Sequence, residues 1–158
     1  MGRHAPALRF RGGALDPSEV THFQYFQFMS GTRHPAPKYW RNTRYAAGMD
    51  KNPIVPVSWH DAVAYCPWVG RRLPTVDELQ STCEAGRLKK RGDIWEWTAT
   101  DVETGGQPFK AICGPGNSCA CSHRYHPDWK NEVNGFRYVR DAPAFNVVSA
   151  AMVEEIFS

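Results

Sequence analysis

Two helix caps, a hydroxyl cap at Ser58 and a reciprocal capping box opening at Thr75, constrain this chain more tightly than any other feature, because they fix where two consecutive helices begin. The Ser58 hydroxyl can accept from the amide of Asp61, while Asp61 places negative charge at the helix N-terminus, and Ala62, Cys66 and Val69 then recur on one face. Gly70 ends that segment. After Arg71 and Arg72, Leu73-Pro74 reads as extended, and Thr75 with Glu78 three residues on opens a second helix that runs to Gly86. Immediately upstream, the β-branched residues Ile54, Val55 and Val57 follow a polar turn and predict a short strand that stops at Ser58. Pro67 conflicts with the first helix, since it removes a backbone donor and crowds the preceding turn, and predicts a kink or an early end near Cys66.

The flanks are organised around this centre. Residues 1–18 form a basic arm punctuated by Gly and Pro, in which Ala7 to Arg11 can make one edge strand. Thr21, with Gln24 at the reciprocal position, caps a third helix, and the aromatic run Phe23, Tyr25, Phe26, Phe28 and Met29 predicts that it packs on the core and that Gly31 stops it. His34 to Lys51 is a long loop, of the kind that carries function or packs as a compact surface loop. Downstream, the two-residue period of a strand puts Trp95 and Trp97 on one face and Glu96 on the other. Asp101 to Pro108 is polar and reads as a loop, and Phe109 to Cys113 as a strand.

At 158 residues the chain is expected to form one domain with a single core. A formal net charge of +3, with its Arg and Lys residues scattered, makes no case for nucleic acid. No apolar run approaches membrane length, and Met1 to Gly13 lacks the hydrophobic segment of a secretory signal, so the expectation is a protein cytoplasmic at synthesis with no membrane insertion. Five cysteines leave at least one thiol unpaired within the chain, which suits a reducing compartment or a particle oxidised late.

The string VSWHDAVAYCPWVGRRLPTVDEL resembles the signature of the formylglycine-generating enzyme family, the sulfatase-modifying factor group. Gly92-Asp93-Ile94-Trp95-Glu96-Trp97-Thr98 is similar to that family's Gly-Asn-Val-Trp-Glu-Trp-Thr. Pro127-Asp128 followed by Gly135-Phe136-Arg137 is similar to its closing motifs, and Glu19-Val20-Thr21-His22 to its Glu-Val-Thr-Asn opening. The resemblance runs from Glu19 to Arg140 and implies a compact α+β domain of the C-type lectin type, with two or three short helices around small twisted antiparallel sheets. The expected organisation is an arm (1–18), the domain (19–140) and a C-terminal extension (141–158).

Departures from the family pattern carry the functional reading. Family enzymes hold copper(I) on two cysteines separated by four residues; counting back from Pro127-Asp128, those positions fall near Phe109 and Gly114, and neither is a cysteine, while a one-residue gap would put Cys113 on the second position with no partner at the required spacing. The resemblance therefore implies no catalytic residues and no cofactor. The family's Trp-Glu-Trp glutamate helps coordinate calcium with an upstream asparagine, where this chain has Lys89. A protonated lysine ligates no cation, so an ammonium from Lys89 or Lys90 is expected to replace the metal and pair with Glu96; the alternative is a solvated basic turn beside a glutamate paired elsewhere. Cys66 and Cys83 match family cysteines that form disulfides, and Cys119 matches the partner of Cys83, whereas Tyr138 replaces the partner of Cys66. The resemblance thus implies that Cys83 and Cys119 are neighbours and that Cys66 is a buried thiol. A sharper alternative is copper or zinc at Cys113, Cys119 and Cys121, with His123 and His126 close in sequence.

The loop-rich segment from Ser118 to Asn134 corresponds to the variable surface of relatives that act as diversified binding proteins, which implies a binding face of His123, Arg124, Tyr125, His126, Trp129 and Lys130; the alternative is an ordinary surface loop with Trp129 tucked beneath it. Beyond Arg140, a helix from Asn146 would put Val148, Met152 and Ile156 on one side, an apolar stripe suited to assembly with another subunit. The function expected on these grounds is a non-catalytic binding or assembly module, with other protein subunits and a cell-surface ligand as partners and the particle of a bacterial virus as its setting. Its rivals are a copper-dependent oxidase that makes formylglycine and a cytosolic metal-binding protein.

Overall fold

In the computed structural model, which describes residues 9–10, 13–41, 43–130 and 133–141, three helices pack against two small sheets. Each helix begins at a complete capping box. Thr21 and Gln24 open α1 (His22–Gly31), Ser58 and Asp61 open α2 (Trp59–Trp68), and Thr75 and Glu78 open α3 (Val76–Glu84). A cap of this kind contributes about 1 kcal/mol by satisfying amides that the first turn leaves unpaired. The ends of α2 and α3 are equally local. Gly70 and Gly86 adopt positive φ, so that Arg71 N–H reaches the Cys66 carbonyl and Arg87 N–H reaches that of Thr82, as in a Schellman motif. Pro67 lies in the last turn of α2, which ends one residue later at Trp68.

One sheet is antiparallel, in the order β1 (Arg9–Phe10), β2 (Gly13–Leu15), β7 (Val139–Arg140). Ala14 and Leu15, assigned by sequence to the arm, are thereby paired with the closing strand, and Leu15 is buried. The other sheet runs β5 (His123–Tyr125), β4 (Gln107–Cys113), β3 (Trp95–Thr104), β6 (Asn134–Gly135), with β6 parallel to β3 and the remaining pairs antiparallel. The architecture is the expected α+β class, its second sheet mixed rather than wholly antiparallel.

Two sequence readings change. The segment Asp101 to Pro108 is not a loop. β3 runs on to Thr104 and turns at Gly105-Gly106, both at positive φ, into β4, the two-residue hairpin connection that matches strand twist. Conversely, Ile54 to Val57 is not a strand. Ile54 N–H donates to Val20 and Val57 N–H to Asn134, while Pro56 has no N–H to extend either pairing.

Trp97 is the centre of the core: fully buried, with its indole N–H donated to the Val57 carbonyl at 2.8 Å. Around it pack Tyr25 and Phe28 from α1, Ala62, Tyr65 and Cys66 from α2, and Phe136. The register of β3 slips by a bulge between Trp97 and Asp101, and the displaced residues bind the helices. Thr98 accepts from the Trp59 indole of α2, Ala99 N–H donates to Pro74, and the Thr100 hydroxyl accepts from Val76 N–H at the start of α3. Among the described residues no helix is long and apolar enough to cross a membrane.

Candidate functional site

Where β3 passes the closing Gly-Phe-Arg segment, two acids and two bases meet in the interior. Glu96 and Arg137 have fully buried side chains. Arg137 donates from Nε and Nη2 to the two Glu96 oxygens at 2.5 and 3.0 Å, and its other N–H groups reach the carbonyls of Asp16 (3.2 Å), Pro17 (2.6 Å) and Lys89 (3.1 Å). Glu19 stands 3.4 Å from Arg137, and the Lys90 ammonium lies 3.8 Å from Glu96 and 2.8 Å from the Ser118 carbonyl. Burial raises the Glu19 carboxyl pKa, the Glu96 charge adds to this, and Arg137 opposes it. Burial likewise lowers Lys90, against the pull of Glu96. For Arg137, burial would weaken the charged form, but the bond to Glu96 outweighs it and the pKa is raised.

This geometry corrects the expected pairing of Lys89 with Glu96. Lys89 is exposed and contributes its backbone carbonyl, the principal partner of Glu96 is Arg137, and Lys90 holds only an outer position. A calcium ion does not fit these residues, because the guanidinium already engages both Glu96 oxygens and the neighbouring carbonyls. The cluster ties the 16–19 segment, the 89–90 crossing and β3 to one side chain near the chain's end.

The thiols come next. Cys83 on α3 is bonded to Cys119, and Cys113 at the end of β4 is bonded to Cys121. The metal set of Cys113, Cys119, Cys121, His123 and His126 is therefore not assembled, and among the described residues no group of three or more His, Cys, Asp or Glu side chains is placed to hold a metal. The remaining thiol, Cys66, is buried in α2, and burial pushes its pKa up to about 12. Phe109 and Gly114, where the family's copper-holding cysteines would fall, supply no sulfur. The structure puts Phe109 against His126 and Trp129, and packs Gly114 on the backbone of Ile94 and Trp95. A copper(I) thiolate site does not fit this arrangement.

The residues expected to form a binding face are brought together only in part. Tyr125, His126 and Trp129 form one contiguous ring cluster, with Trp129 centred 4.8 Å from Tyr125 and 5.5 Å from His126. Trp129 is 48% exposed, so it is not tucked beneath its loop. Phe109 joins the cluster, and the Arg124 guanidinium stacks over it at 5.3 Å. His123 departs to the other end of its strand and packs on Trp95 at 4.9 Å, while Lys130 turns toward Asp61 at 3.4 Å. Trp97 lies against Tyr125, which puts Trp95 and Trp97 on the same sheet face as His123 and Tyr125, the arrangement that strand period requires. Val148, Met152 and Ile156 lie outside the described residues.

Sequence reasoning missed several participants. From sequence Phe109 marks a strand start and the place of a family cysteine, not a member of the ring cluster, and the neighbouring cation–π pair of Lys110 on Trp59, at 4.1 Å, has no local signal. The signal for Lys110 lay in the register, which sets it opposite Tyr125. Arg137 was noticed as part of a motif and not as an ion partner, although a buried glutamate between two tryptophans demands one.

Comparison with known proteins bears on the family and the fold. Residues 4–91, more than half of the chain, match the family described as the sulfatase-modifying factor enzyme 1-like domain. A formylglycine-generating enzyme from Bos taurus is 33% identical over 90 residues, which take in 44% of this chain and 24% of that protein. A protein of Mus musculus described as inactive C-alpha-formylglycine-generating enzyme 2 is 40% identical over 68 residues, 40% of this chain and 21% of that protein. The matched stretches thus span about a quarter or less of these relatives' own length. Among solved structures, CarF superposes with a TM-score of 0.64 over 82% of this chain and 86% of its own at 17% identity, which establishes a shared fold.

Proposed function

Since the chain belongs to the sulfatase-modifying factor family yet carries Phe109 and Gly114 where that family's copper-holding cysteines fall, we propose that it is a non-catalytic binding or assembly module built on the family's scaffold. The observation that carries this reading is the state of the sulfurs. Four cysteines are consumed in two disulfides, and the fifth is a buried thiol whose pKa is pushed up to about 12, so no thiolate pair stands ready to hold a soft metal. The similarity to a mouse relative described as inactive supports it further.

Binding is assigned to the surface of Tyr125, His126 and Trp129, with Arg124 and Phe109 beside it. Exposed aromatic rings held by strand and ring contacts supply large contact area at low entropic cost. The partners we assign are other protein subunits and a cell-surface ligand, in the particle of a bacterial virus. That setting is supported by the use of this fold in phage receptor-binding proteins, an argument by analogy. Native mass measurement of the intact complex tests the reading. The expected result is a stable assembly with other structural proteins that Trp129→Ala weakens, and a monomer carrying bound copper would overturn it.

A further inference from the structure

A second site, sharing no residue with the Trp129 surface, lies in the loop between α1 and α2. Tyr39, Arg41, Arg44, Tyr45 and Ala46 line a pocket of about 430 Å³, within the range of small-ligand sites. Two features set it apart from an ordinary basic loop. First, the Arg44 guanidinium is already oriented, stacked 4.8 Å over the Phe26 ring and 5.5 Å from that of Tyr45, which leaves its N–H edges facing away from the rings. Among the described residues neither Arg41 nor Arg44 has a carboxylate within ion-pair distance; the acid of this loop, Asp50, instead accepts from the Tyr45 hydroxyl at 2.5 Å.

Second, the Tyr39 wall is held by a polar relay. The His22 Nδ1–H donates to the Asn52 carbonyl at 2.9 Å, which leaves Nε2 to accept from the Tyr39 hydroxyl at 3.3 Å. Burial lowers the His22 pKa, so this imidazole stays neutral. The indole N–H of Trp40, a residue 7% exposed, faces the same Tyr39 hydroxyl and eases the rise that burial imposes on its pKa, although it falls short of full hydrogen-bond geometry. Tyr39 itself is 47% exposed, so its ring faces the solvent side of the pocket.

We propose that this pocket binds a small phosphate or sulfate monoester carried on a planar ring. The two guanidinium groups take the tetrahedral anion through charge-assisted hydrogen bonds, and the half-exposed Tyr39 ring flanks its planar body, with the buried Tyr45 forming the floor.

Isothermal titration of the full chain with phenyl phosphate, phenyl sulfate, inorganic phosphate and phenol tests this. Phenyl phosphate, phenyl sulfate or both bind, phenol and inorganic phosphate bind at least tenfold more weakly, and whichever monoester binds more tightly identifies the natural anion. Arg41→Gln and Arg44→Gln each weaken monoester binding by about tenfold or more. Arg41 is exposed and stacks on no ring, so its variant reports on binding even if Arg44→Gln loosens the loop. The proposal is overturned if neither monoester binds up to about 10 mM, if phenol binds as well as phenyl phosphate, if inorganic phosphate does so, or if Arg41→Gln leaves the affinity unchanged.

Discussion

Replacing Arg137 by Met is the perturbation whose cost the structure specifies best. The guanidinium is fully buried and makes five hydrogen bonds, two to Glu96 and one each to the carbonyls of Asp16, Pro17 and Lys89. Without it, Glu96 and Glu19 remain buried together with Lys90 alone to balance them, at 3.8 Å from Glu96. Breaking a buried pair in this way costs about 3–5 kcal/mol, because a charge is left uncompensated. For a domain of this size that lowers Tm by about 6–20 °C. The loss has a pH signature. Burial already raises the Glu19 pKa, and Arg137 is what holds it down, so in Arg137→Met the folded-state pKa rises further. A carboxyl whose folded pKa lies above its unfolded value destabilises the fold as pH rises from the unfolded to the folded pKa. The gap in stability between the wild type and the variant therefore narrows as pH falls from neutral toward the ordinary carboxylate range. Urea denaturation at several pH values measures it, and adding Glu96→Gln to the variant should recover part of the loss. A Tm drop below about 2 °C at neutral pH, or a gap that does not change with pH, would refute the reasoning.

Four further outcomes follow from single features. Cys66, with its pKa pushed up to about 12, should resist a thiol reagent at pH 8, where about one molecule in ten thousand is thiolate, and react fully once the chain is unfolded in urea; fast labelling of the folded protein would contradict its burial. Gly116→Ala places a Cβ 2.3 Å from the Gly92 carbonyl oxygen at a φ of +46°, and should cost about 2 kcal/mol or more by thermal denaturation, whereas Ser58→Ala should cost about 1 kcal/mol through its cap alone. Trp129→Ala should change stability by less than about 0.5 kcal/mol while weakening the complex in native mass spectra, because the ring is about half exposed; a large loss of stability would place it in the core instead.

What could be read from the sequence was the local part of the fold. Thr21, Ser58 and Thr75 each meet a partner three residues on, so all three helix starts are set by contacts a few bonds apart. Even here a competing term misled. The β-branched pattern of Ile54 to Val57 argued for a strand, while Pro56 denied it the ladder hydrogen bond. The Asp101 to Pro108 hairpin was hidden because its side chains are largely exposed and carry no apolar alternation, although the Gly105-Gly106 pair was visible. The buried ion cluster joins residues 41 apart in the chain, Glu96 and Arg137, so local sequence points only to Lys89 and Lys90, of which Lys90 lies 3.8 Å from Glu96 and neither is its principal partner. Likewise, nothing in the spacing of five cysteines singles out Cys113 and Cys121, because pairing is decided by how β4 and the following loop approach each other. On the candidate face, Tyr125, His126 and Trp129 were legible as a polar loop with exposed aromatics, but the separation of His123 from them follows from the register of β5 on β4.

The central claim is that the family scaffold persists here without its chemistry, and a turnover assay tests it most directly. The full chain, loaded with copper(I) and supplied with oxygen, is incubated with a Cys-x-Pro-x-Arg peptide, and the peptide's mass is followed for conversion of cysteine to formylglycine. No conversion is predicted, with or without prior reduction of the Cys113–Cys121 bond, since Phe109 and Gly114 provide no thiolates. Turnover by the wild type that disappears in Cys113→Ser would contradict the account.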